Sequence, residues 1–176
     1  MKLIGIVFAC FICVVILLAL LTDFDRNDRQ LQAEFDEFSK ILQQDTEEEL
    51  SLTIYYIDPS ILTRFPLKIE DLVQCSDVQK IYVNSEQLTA CWDVLKQLNA
   101  ENITRVKEPS YLDARMCYIF ETERNGKVLE VAFGGNNQSV FINGIEVYNN
   151  HIFRDILELY VTESTMEQLE CLFPVQ

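Results

Sequence analysis

The chain has 176 residues, is 49 % apolar and carries a net charge of −14. That length suits one domain of ordinary size beside any targeting or tethering segment, and the aromatic content and apolar patterning argue against disorder. Both residues 22–50 and residues 51–176 carry surplus negative charge, so each is expected to be repelled by nucleic acid and by anionic lipid headgroups.

Leu3 to Leu21 is an unbroken apolar run. As a helix its 19 residues would reach about 28 Å, close to the hydrocarbon thickness of a bilayer. A cleaved signal peptide would need small residues at the exit, but the sequence there reads Ala19-Leu20-Leu21-Thr22. Residues 1–22 are therefore expected to form a transmembrane anchor. Lys2 directly before the run is a signal-like layout, which favours an extracytoplasmic position for the rest of the chain, although Arg26, Arg29 and Lys40 oppose a simple count of bases.

Residues 23–50 read as an acidic helical stalk or linker. Residues 22–50 hold ten acidic and three basic side chains, and Leu31, Phe35, Phe38 and Leu42 are spaced 4, 3, 4 with Ile41 beside them. One narrow apolar stripe on a charged helix has two uses. It packs on the chain's own domain, the preferred reading, or it forms a short coiled-coil seam between two copies through Leu31, Phe35, Phe38 and Leu42. Asp23, Asp25, Asn27 and Glu34 match four ligand positions of a calcium loop, but Asp28 stands where the sharp turn needs glycine, so no metal site is expected.

Residues 51–176 are expected to fold as one α+β domain. Leu52 to Ile57 reads as a strand stopped by Pro59, Ile69 to Val73 as a helical turn and Lys80 to Val83 as a short strand. Asn84 with Gln87 is a capping box for a helix whose buried face is Leu88, Trp92, Leu95 and Leu98, with Cys91 and Val94 beside them. From Ala114 the alternation is that of an antiparallel meander. Asn125-Gly126 predicts a two-residue hairpin that pairs Phe120 with Val131. Met116, Tyr118, Phe120, Leu129, Val131 and Phe133 then share a dry face, and Arg115, Cys117, Glu121, Glu123 and Glu130 a wet one. Asn143-Gly144 predicts a second tight hairpin, followed by a helix with Ile152, Phe153, Ile156, Leu159 and Tyr160 on one face and a last short helix, capped at Ser164-Thr165-Met166-Glu167, that carries Met166, Leu169 and Leu172. The expected architecture is an antiparallel sheet with helices packed on one face.

The segment Val140 to Val147, VFINGIEV, leading into the helix at Ile152, resembles small uncharacterised domains of bacterial membrane-anchored and secreted proteins. The likeness covers roughly residues 114–160. It implies a place in the bacterial envelope and no particular activity, and it assigns a role to no residue.

Chemistry-bearing motifs are sparse. His151 is the only histidine, and a catalytic role would require the fold to bring a nucleophile such as Cys117 beside it. The expected register makes Glu121 and Glu130 cross-strand neighbours, a like-charged pair that a carboxylate-dependent hydrolase or transferase could use; a solvated sheet face is the simpler reading. Cys75, Cys91, Cys117 and Cys171 are scattered, so in an oxidising compartment one or two disulfides could form with open pairing, whereas zinc lacks paired ligands. Neither cofactor nor nucleic acid is expected. The pattern favours a non-catalytic protein-interaction or sensor module of the cell envelope, partnered by the membrane, another envelope protein or itself. The alternatives are a carboxylate enzyme and a self-associating structural protein.

Overall fold

The computed structural model describes residues 28–43, 50–135 and 139–173. The expected anchor (1–22), Cys10 and Cys13, three residues of the calcium-like pattern and the acidic run 45–49 lie outside the described residues. Among those described, no helix is long and apolar enough to cross a membrane.

Residues 28–43 are helical, forming α1. The sheet has six strands, β1 (Ser51–Tyr56), β2 (Gln79–Val83), β3 (Ala114–Thr122), β4 (Gly126–Gly134), β5 (Val140–Ile142) and β6 (Ile145–Val147), in the order β2-β1-β3-β4-β5-β6 with every pair antiparallel. The remaining helices are α2 (Ile69–Val73), α3 (Ser85–Leu88), α4 (Trp92–Leu95), α5 (His151–Glu158) and α6 (Glu163–Leu169). The fold is α+β, as the patterning implied.

The main core lies on the face carrying Met116, Tyr118, Phe120, Leu129, Val131 and Phe133, all fully buried. Helices α1, α5 and α6 supply its cover. Leu31, Phe35, Phe38, Ile41 and Leu42 of α1 are buried in this same cluster, and the Phe38 ring meets Phe120 edge-on at 5.2 Å. A seam to a second copy would need Leu31, Phe35, Phe38 and Leu42 exposed, and here the chain's own sheet covers all four. Polar contacts hold the other side of the helix: Asn143 Nδ2 donates to Glu34 Oε2 at 2.7 Å, and Asp28 lies 3.6 Å from the Arg105 guanidinium. Residues 28–43 therefore share one core with the region after residue 50.

Four local expectations are corrected. First, β3 and β4 pair Phe120 with Leu129 and Tyr118 with Val131, two residues away from the expected register. Gly126 alone takes positive φ (+66°) at this turn, so the connection is three residues long and Val128 is left over as a bulge. A shift of two preserves the faces, which is why the dry face is as expected. Second, the other face is not wet throughout. Residues 57–78, including α2, fold over one end of it, where Cys117 and Ala132 lie in a smaller cluster with Ile57, Leu72 and Phe141 and Arg115 is buried as well. Third, the helix opened by the Asn84–Gln87 capping box breaks at Thr89–Cys91, where Thr89 Oγ1 donates to the Glu86 carbonyl at 2.6 Å and competes with the helical ladder. Fourth, the last helix is capped by Thr162, not at Ser164–Glu167. The Asn143-Gly144 hairpin is as expected, with both residues at positive φ.

Candidate interaction surface

Arg115 organises one end of the smaller face. β3 and β4 shift register between Ala114 and Met116, so Arg115 is the extra residue of a bulge, a device that re-aims a side chain. Its Nη2 donates to Asp113 Oδ2 at 2.7 Å, with side-chain exposures of only 7 % and 11 %. The fork also donates through Nη1 to the Ile61 carbonyl (2.8 Å) and through Nη2 to Thr63 Oγ1 (3.2 Å). Asp113 accepts from the Leu67 amide (2.9 Å), and Gly135 N donates to the Asp113 carbonyl (3.0 Å). A Cβ at Gly135 would lie 2.8 Å from Arg115 Cγ, so only glycine leaves room for this stem. A buried ion pair with its remaining valences filled by backbone holds its geometry well, and breaking it strands a charge.

The same pair fixes two loops, and each displays an apolar side chain. Leu62 lies between Ile61 and Thr63, both bonded to the guanidinium, and is 96 % exposed. Tyr111 lies between two fixed points as well. Ser110 is bonded through its amide and its hydroxyl (2.8 Å) to the buried Glu146 carboxylate, and Asp113 is held by Arg115. Leu112 turns inward against the smaller cluster, and Tyr111 turns out to 95 % exposure. Phe65 is 70 % exposed, with the Arg64 guanidinium 5.5 Å from its ring centre. Three large apolar side chains are thus held in solvent on loops that the Asp113–Arg115 pair braces.

The sequence candidates for catalysis are not brought together. Glu121 pairs with Lys127 across the strands and Glu130 with Ile119, and Lys127 Nζ neutralises the Glu130 carboxylate at 2.6 Å. The like-charged pair expected from the hairpin therefore does not form. His151 begins α5, exposed, and its neighbours Ile152 and Phe153 enter the main core; Cys117 belongs to the opposite face. Burial, and then the charge of Glu130, pushes the Cys117 thiol up to about 12. Burial likewise raises Cys91, whose sulfur accepts from Tyr160 Oη at 3.0 Å. Neither thiol is a ready nucleophile. Cys75, Cys91, Cys117 and Cys171 are free thiols. Sequence reading missed a hydroxyl–carboxylate cluster of Ser110, Ser139 and Glu146, with the two hydroxyls 3.1 Å apart. Both Glu146 oxygens accept from Ser110, so the cluster latches the 105–113 segment onto β6. No group of three or more His, Cys, Asp or Glu among the described residues could hold a metal ion. Two glycosylation sequons occur in the sequence, Asn102-Ile103-Thr104 and Asn137-Gln138-Ser139; Asn102 is exposed, with its side-chain amide donating to the Gln97 carbonyl, and Asn137 lies outside the described residues.

Arg115 and Asp113 could not have been assigned this role from sequence, because pairing two residues apart in an extended segment carries no periodic signal. No family model, curated protein or solved structure matches this chain.

Proposed function

We propose that the protein is a membrane-tethered, non-catalytic interaction module of the cell envelope, working through the surface formed by Leu62, Phe65 and Tyr111. The observation that carries this reading is the nearly complete exposure of Leu62 and Tyr111 on loops that one buried ion pair holds in place. Pre-ordering a contact loop removes much of the entropy lost on binding. The apolar run 3–21 supports the tether, and the burial of the Cys91 and Cys117 thiols, with the Glu130 carboxylate paired to Lys127, favours binding over catalysis.

A photoreactive benzophenone side chain at position 62 or 111 tests this in native membranes. Covalent adducts at those positions, and none at the exposed control Glu123, are the expected result. Chains that remain adduct-free at both positions would sink the interaction reading. Release of the chain from membranes by alkaline carbonate would sink the tether.

A further inference from the structure

We infer that the partner of this surface is the headgroup layer of the bilayer that carries the chain. Leu62, Phe65 and Tyr111 enter the interface, and Arg64, Lys68 and Lys107 lie against anionic phosphate. The inference rests on the tethering proposed above.

The local charge differs from that of the whole. The chain is net −14, yet residues 59–68 contain Arg64 and Lys68 and no acidic residue. Asp113 is neutralised by Arg115, and Asp58 is engaged by the Ser60 amide and hydroxyl. Glu70, Asp71 and Glu108 adjoin Arg64, Lys68 and Lys107 and equal them in number, so this flank is near neutral where the chain as a whole is strongly negative. The surplus of negative charge elsewhere turns the rest of the domain away from an anionic surface, so repulsion favours the orientation that brings this flank to the bilayer.

The tether is short. Asp28, where the described chain begins, comes seven residues after Leu21, a span of at most about 25 Å even when fully extended. The flank bearing Asp28 is thus kept near the bilayer. Lys107 lines the same shallow cleft as Asp28 and Arg105. Tyr111 comes four residues after Lys107, so its Cα lies within about 14 Å of that of Lys107. The latch at Ser110 and the clamp at Asp113 then hold Tyr111 outward.

The side-chain types also favour lipid over protein. Protein–protein hot spots are centred in packed, water-excluding pockets, whereas these side chains project singly into solvent. Aromatic rings beside basic residues are the composition that settles at a lipid–water boundary.

The test uses the full chain reconstituted into phosphatidylcholine vesicles with and without phosphatidylglycerol. Leu62→Trp and Tyr111→Trp are read against the Trp92 background of the unsubstituted chain, with Tyr82→Trp on the far edge strand as control. Lipids brominated in the acyl chain should quench the added emission at 62 and 111 and spare it at 82. The quenching should weaken without phosphatidylglycerol, in high salt, or with Arg64→Glu and Lys68→Glu combined. Unquenched emission at both 62 and 111 overturns the lipid contact, whatever the carbonate wash shows about the anchor. Benzophenone adducts in native membranes that run as protein–protein products, with no lipid adduct, also overturn it and leave the interaction reading standing.

Discussion

At the residue scale, one pair of side chains decides where the surface is. Asp113 and Arg115 are buried together, so Asp113→Ala would leave a guanidinium in the interior with part of its hydrogen bonding lost. The expected cost is about 3–5 kcal/mol, read as a shift of the denaturation midpoint. Cleavage by trypsin after Arg64 should rise at the same time, because Ile61 and Thr63 depend on that fork. A stability unchanged within about 0.5 kcal/mol would mean that the pair braces nothing. Cys117 makes a pH prediction. Its folded pKa is raised to about 12 from an ordinary value of 9.0, so between those limits the unfolded chain loses this proton while the folded chain keeps it. Stability must therefore fall as pH rises from about 9 towards 12. Cys117→Ala should flatten that part of a Tm-against-pH curve, and an unaltered slope would show that the thiol is not the group responsible.

At the scale of elements, α1 carries the stripe that the sequence offered either to the chain's own domain or to a second copy. Its apolar stripe was legible from the 4, 3, 4 spacing alone, and residues 28–43 are indeed helical. The surface that receives the stripe was not legible, because so short a periodicity fits a sheet and a partner helix equally well. With Phe38 fully buried against Phe120, Phe38→Ala should cost about 3–5 kcal/mol by the cavity it leaves. Denaturant titration measures that loss, and sedimentation of the variant in detergent should show the parent's assembly state. A variant of full stability that falls from dimer to monomer would restore the seam between copies. The β3–β4 hairpin was legible in the same partial way. Asn-Gly correctly announced a turn, but only Gly126 takes positive φ, and the loop and bulge then move the register by two. That displacement separates Glu121 from Glu130, setting Lys127 opposite the one and in an ion pair with the other.

At the scale of the whole molecule, the hydrophobic core sets the boundary of the folded unit. Five side chains of α1 lie in the main cluster with the sheet, so a chain beginning at Leu50 would expose an apolar strip across Phe120 and its neighbours. Such a truncated chain should bind a hydrophobic dye and unfold with reduced cooperativity, whereas one beginning at Asp28 should do neither. Equal behaviour of the two would show that the helix adds little to the core. The sheet itself is asymmetric at its edges. Residues 104–106 cover β6 through the Val106 N–Glu146 O and Tyr148 N–Thr104 O bonds, and β2 is left with Lys80 and Tyr82 in solvent. Lysine on an open edge discourages strand addition, so this edge is guarded by charge where the other is guarded by chain.

Local chemistry was enough to read much of this protein from its sequence. Periodicity alone placed the strands, the dry face and the amphipathic helices, because solvent separates apolar from polar side chains at the repeat of each structure. Positive φ limits the residues at tight turns, and so marked Asn143-Gly144 correctly. Contacts between distant segments required the tertiary structure. Residues 57–78 cover part of the expected wet face, the bulge turns Arg115 beneath Ile61 and Thr63, and Ser110 latches onto Glu146. The last two of these join residues 36 to 54 positions apart. Such pairings are chosen by packing and by the demand that buried polar groups find partners, and neither leaves a repeat in the chain. The exposed trio at the proposed surface is their consequence: Leu62, Phe65 and Tyr111 look like ordinary core residues until the fold shows them in solvent.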